Sequence, residues 1–103
     1  MGAPDAENLR TSILLDRGLA RSEMGFPRQA VEDYTEVLKD STLHRDTRTA
    51  VLQNRAITWD AAGKYREAEG DLDEILSSRP LSACTEALAL ISRALLNEKS
   101  SLA

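Results

Sequence analysis

A chain of 103 residues forms one small domain with a modest core. Its net charge of −4 argues against a general nucleic-acid binder, which carries a basic footprint. It holds 42% hydrophobic and 29% charged residues but no run of ~18 apolar residues, so no membrane span is expected. The first ten residues lack an apolar signal core, which makes a cytoplasmic location the expectation. Cys84 is the single cysteine and excludes an internal disulfide. Ala, Leu, Glu and Arg abound and β-branched runs are few, so helix is favoured over sheet.

Asp5 is placed to cap a first helix, with Glu7 in its first turn, where an acid suits the helix dipole. Leu9, Ile13, Leu14, Leu19 and Ala20 recur at helical spacing to about Met24. Gly25 stops that helix. Pro27 starts the next, where its fixed φ suits a first turn. The second helix sets Ala30, Val31, Tyr34, Val37 and Leu38 on one stripe, with Glu32, Asp33, Glu36 and Lys39 facing out. Residues 40–49 are polar and read as a loop or partly as the start of helix three. Val51, Leu52, Ala56, Ile57 and Trp59 carry helix three, with Trp59 expected to be largely buried and Gly63 ending the helix. Helix four runs from about Tyr65 to Ser78, with Tyr65, Ala68, Leu72, Ile75 and Leu76 inward, and Pro80 forbids its continuation. Ser82 caps a fifth helix containing Ala87, Leu88, Ile91, Leu95 and Leu96, and the tail after Lys99 is expected to be loose.

The two halves superpose on their turn glycines. Gly25 and Gly63 stand 38 residues apart, and at that interval Arg17-Gly18 matches Arg55-Ala56. Ala30 matches Ala68, Tyr34 matches Leu72, and Val37-Leu38 matches Ile75-Leu76. A repeat of this length means stacked helical hairpins. Small residues facing each other let two helices approach, and a glycine after the first helix supplies a left-handed cap. Ala56, Trp59, Gly63, Tyr65, Ala68 and Pro80, with Gly18, Gly25, Ala30 and Tyr34 in the first copy, make the chain resemble the tetratricopeptide repeat family, in about two and a half repeats. The resemblance implies an all-α fold: antiparallel helical hairpins stacked as a short right-handed solenoid of five helices. It implies a single domain over residues 1–103. Repeat one covers about 9–42, repeat two about 49–80, and a capping or half-repeat helix about 83–98. The chain departs from the family at Arg21 and Pro27, where aromatics are expected, and no proline closes the first repeat. Gly70 lies mid-helix, either to permit a close helix contact or as drift that costs about 1 kcal/mol.

In the family, first helices of successive repeats line a groove that holds a peptide or helix. The resemblance therefore implies groove residues Leu15, Leu19 and Ser22 from repeat one, with Ser12 and Glu23 beside them. Repeat two adds Gln53, Asn54, Ile57 and Asp60, with Ala50, and the fifth helix adds Ala87 and Ile91. Members that clamp a terminal carboxylate use Lys, Arg and Asn groups. Here only Asn54 fits, against Leu15, Leu19, Cys84 and Leu88, so an apolar or amphipathic segment suits the groove better. The plainer reading is that these leucines pack against the chain's own last helix. The expected function is therefore a scaffold or adaptor that binds a protein or peptide. The alternative is self-association into a homo-oligomer through the apolar fifth helix, at Leu88, Ile91 and Leu95.

His44, Arg45, Arg48 and Arg55 form a local basic cluster, and Glu67, Asp71 and Glu74 an acidic stripe with Glu69 and Asp73 beside it. The first reads as a docking patch for an acidic segment and the second as a cation or basic-partner site, or each, more simply, as a solvated helix face. Chemistry-bearing residues are few. His44 and Cys84 are single in kind, and no phosphate loop or metal-ligand spacing occurs. No catalytic role, cofactor or metal is expected, and Cys84 reads as a small buried apolar residue.

Overall fold

The computed structural model describes residues 6–78 and 82–102. The fold is all-α, with helices α1 (Ala6–Glu23), α2 (Pro27–Leu38), α3 (Arg45–Ala61), α4 (Tyr65–Ser77) and α5 (Ala83–Leu102). Each helix packs on its neighbour in sequence, and α1 also touches α3. Sequential packing gives an elongated body of 51 × 32 × 19 Å. The expected Asp5 cap and Pro80 stop lie outside the described residues.

The turns α1–α2 and α3–α4 are built alike. Gly25 and Gly63 adopt φ of 88° and 77°, the left-handed conformation that a Cβ disfavours. Beyond each glycine one amide closes back over the helix end: Phe26 N–H donates to the Arg21 carbonyl at 2.7 Å, and Lys64 N–H to that of Trp59 at 2.8 Å. Pro27 occupies the first turn of α2. Helix α3 starts earlier than its apolar residues suggest, at Arg45, because His44 Nδ1 accepts from Asp46 N–H and caps it. Ser82 Oγ accepts from Thr85 N–H and caps α5. The tail expected to be loose after Lys99 is instead helical to Leu102, since nothing in that polar sequence stops a helix.

Two buried clusters form the core. Ala30, Tyr34, Val37 and Val51 make one, with Leu14, Leu15 and Leu43 against it. Leu52, Ala56, Ala68, Leu72, Ile75, Ala89 and Leu96 make the other, and Leu38 touches both. The match between hairpins is one of volume as well as position. A Cβ on Gly18 would lie 2.7 Å from a Tyr34 ring carbon, whereas Ala56 faces the smaller Leu72. Trp59 is only partly buried against its cluster. Gly70 has open space where a Cβ would project, so it serves no close helix contact.

The charged faces depart most from expectation. Asp33 and Asp71, read as outward-facing, are 3% and 4% exposed. Each takes a forked arginine from the preceding helix: Arg17 Nη2 donates to Asp33 at 2.8 Å, and Arg55 Nε to Asp71 at 2.8 Å. Hydrogen bonding to the aspartate raises the pKa of both arginines. Arg21, which stands at the place of Trp59, donates to Asp33 as well. A second pair also repeats, Arg10–Glu36 and Arg48–Glu74. Desolvating the buried Asp33 and Asp71 carboxylates offsets much of the attraction to their arginines, so the main effect of these two pairs is to fix how the helices of a hairpin align.

Candidate partner-binding cleft

Helices α3 and α5 leave a cleft of about 330 Å³ between them. Gln53, Asn54, Ile57 and Asp60 form its α3 wall, and Leu88, Ser92, Leu95 and Lys99 its α5 wall. Spacings of three and four residues put each set on one helix face. Ala56, Leu72, Ala89 and Leu96 form the floor. Two alanines there leave the hollow that larger side chains would fill.

The walls differ in chemistry along their length. Ile57, Leu88 and Leu95 are 66%, 55% and 54% exposed and give the cleft an apolar middle. At one end Lys99 Nζ bridges to both Asp60 carboxylate oxygens, at 2.9 and 3.1 Å, and lies 5.7 Å from the Tyr65 ring centroid. The Asp60 bond, followed by the attraction of its charge, raises the Lys99 pKa. Asp60 is therefore already neutralised and is not a free anion for a ligand. Gln53 and Asn54 supply neutral donors and acceptors at the wall.

Compared with known protein families, curated proteins and solved structures, this chain has no significant match.

Of the groove residues expected from sequence, Gln53, Asn54, Ile57 and Asp60 converge in the cleft, and those from repeat one do not. Leu15 packs against the α1–α3 core and is half-buried. Ser22 Oγ lies 3.2 Å from Thr58 Oγ1 and links α1 to α3. Leu19 is 47% exposed and stands outside the cleft. Leu88 and Leu95, read as self-association residues, line the cleft, while Ile91 is exposed at 58% and does not. Ser92 and Lys99 were missed. Their positions four residues after Leu88 and Leu95 were the available signal.

The other sequence features resolve into structure. Arg48 binds Glu74 and the Leu38 carbonyl, and Arg55 binds Asp71 and Thr35, so the basic cluster is not a free patch. Asp73 of the acidic stripe pairs with Arg93. Cys84 is exposed rather than buried, because it lies on the outward side of the first turn of α5. A smaller polar hollow between α1 and α2 is edged by Arg10, Glu36 and Lys39, whose side chains pair with one another. Among the described residues no group of acidic, His or Cys side chains could hold a metal, and no helix is long and apolar enough to cross a membrane.

Proposed function

We propose that the chain is a short tetratricopeptide-like solenoid that binds a partner protein, taking a helix or extended segment across the first helices of its repeats. One observation carries this reading. Leu19, Ile57 and Leu95 stand at successive 38-residue intervals on α1, α3 and α5, and all three are exposed, at 47%, 66% and 54%. A repeat that places a large apolar side chain in water at the same position three times gives a ligand a row of anchors. Burying one such side chain from full exposure is worth about 1.5–3 kcal/mol, so three half-exposed ones together offer roughly 3 kcal/mol. The cleft beside Ile57 and Leu95 receives one apolar anchor of the partner, and Gln53 and Asn54 pair with its backbone. Replacing Leu19 and Ile57 together by Glu is expected to abolish partner capture while helical circular dichroism stays unchanged. Unchanged capture would place the site elsewhere.

Self-association is the competing reading. Leu88, Ile91 and Leu95 are each more than half exposed on one helix, the kind of apolar patch that marks a contact. Light scattering separates the two, since a strict monomer at high micromolar concentration excludes it.

A further inference from the structure

The 38-residue interval extends into α5. Arg93 and Ala94 follow Arg55 and Ala56 as those follow Arg17 and Gly18, and Leu90 stands at the place of Leu14 and Leu52. In both complete hairpins these positions meet the second helix. Gly18 lies against the Tyr34 ring, Leu52 and Ala56 share a core cluster with Leu72, and each arginine pairs with a buried aspartate. In α5 the same positions are open. Leu90 is 48% exposed where Leu52 is 1% exposed, and Ala94 and Asn97 are exposed. Arg93 reaches Asp73 of α4 at 2.6 Å, but the Asp73 side chain is 52% exposed, against 3% and 5% for the side chains of Asp33 and Asp71.

We infer that this face of α5, which repeats the register of the first helix of a hairpin, is a docking surface for a helix of a partner protein. The helix it fits carries Ala-x-x-Asp-(Tyr/Leu)-x-x-(Val/Ile)-Leu. The chain itself supplies that pattern twice, as Ala30, Asp33, Tyr34, Val37 and Leu38 and as Ala68, Asp71, Leu72, Ile75 and Leu76. The alanine lets the backbones approach. The aspartate takes Arg93 in a forked pair, as Asp33 and Asp71 take theirs. The large residue after it covers Ala94, and the last two pack on Leu90. This surface is distinct from the cleft, whose α5 wall is Leu88, Ser92, Leu95 and Lys99. A second copy of the chain fits less well. Both described helices with the pattern are already buried in their own hairpins. The open helix at the other end, α1, is itself a first helix and brings Arg17, not a free carboxylate.

The test uses a peptide of the α4 sequence, Tyr65–Ser77, cross-linked through the exposed positions 66 and 70 because so short a helix is marginal alone. Titrated into the full chain and followed by fluorescence anisotropy, it binds saturably. Arg93→Glu weakens that binding at least ~10-fold, and a peptide carrying Asp71→Arg restores it to the Arg93→Glu protein. Leu90→Asp, at a position already half exposed, gives a similar loss by an independent route. Ile57→Glu, in the cleft, leaves the affinity unchanged, which separates this surface from the proposed function. Circular dichroism checks that each variant is folded. Absence of saturable binding, or binding indifferent to Arg93→Glu, overturns the inference. So does a dimer in sedimentation that Leu90→Asp breaks, since a second copy would then occupy the face.

Discussion

Gly18 shows how closely this small core is matched residue by residue. Its missing Cβ is the space that the Tyr34 ring occupies, with a ring carbon 2.7 Å from where that atom would stand. Gly18→Ala should therefore destabilise the chain by about 1–3 kcal/mol in urea unfolding, since overpacking forces ring or backbone to shift. Adding Tyr34→Leu recreates the Ala56–Leu72 pair, and the double variant should lose less than the sum of the single losses. Gly70→Ala is the control. It has open space and sits in a helix, so it should add up to about 1 kcal/mol. A neutral Gly18→Ala would contradict the packing described. The small residues at 18 and 56 were legible in the sequence, because they matched at the repeat interval beside Arg17 and Arg55. The burial of Asp33 and Asp71 was not. Each stands among other acidic residues, so its stretch reads as a solvated face until the arginine 16 residues upstream is seen to reach it.

At the scale of helices, glycine and proline punctuation located both turns, and apolar spacing located the helices between them. What spacing did not show was the start of α3 and the end of α5. One depends on a histidine ring acting as a cap, and the other continues through polar residues with no stop. That final stretch is held down by Lys99, which ties α5 to Asp60 of α3 and lies over Tyr65 of α4. Its pKa is raised by the Asp60 bond, so its contribution is full below the ordinary lysine value and lost as pH rises through the raised one. Tyr34 acts in the same direction. Burial first, then the charges of Asp33 and Glu23, push its phenol up and favour the neutral form in the folded state. Urea midpoints should therefore fall between about pH 10 and about pH 12, above the ordinary tyrosine and lysine values, and Lys99→Met should reduce the fall. A midpoint flat across that window would contradict these pairings.

Among the described residues the helices form a row whose two outer faces, on α1 and on α5, carry exposed apolar side chains. One register position shows this directly: Ile13 is 55% exposed on α1, while its counterparts Val51 and Ala89, which have a preceding hairpin to pack on, are 1% and 2% exposed. At the other end Leu90 is open where Leu52 is closed. The order of helices and the existence of a repeat could be read from sequence, since both rest on local signals. Which groove residues would come together could not, because that depends on how far apart successive first helices stand. Hence Ile57 and Asp60 meet Leu88 and Leu95 in one cleft, while Leu15 is drawn into the core and Ser22 into a bridge with Thr58.

The exposed side chains also provide the most direct test of the binding surface. Leu9 and Ile13 are 60% and 55% exposed on α1, much as Ile57, Leu88 and Leu95 are around the cleft. Exposure alone thus gives the two groups equal access to a ligand. In a methyl-detected NMR titration with a captured partner, the resonances of Ile57, Leu88 and Leu95 should shift, while those of Leu9 and Ile13 stay in place. Shifts at Leu9 and Ile13 with none at Ile57, Leu88 and Leu95 would contradict the account.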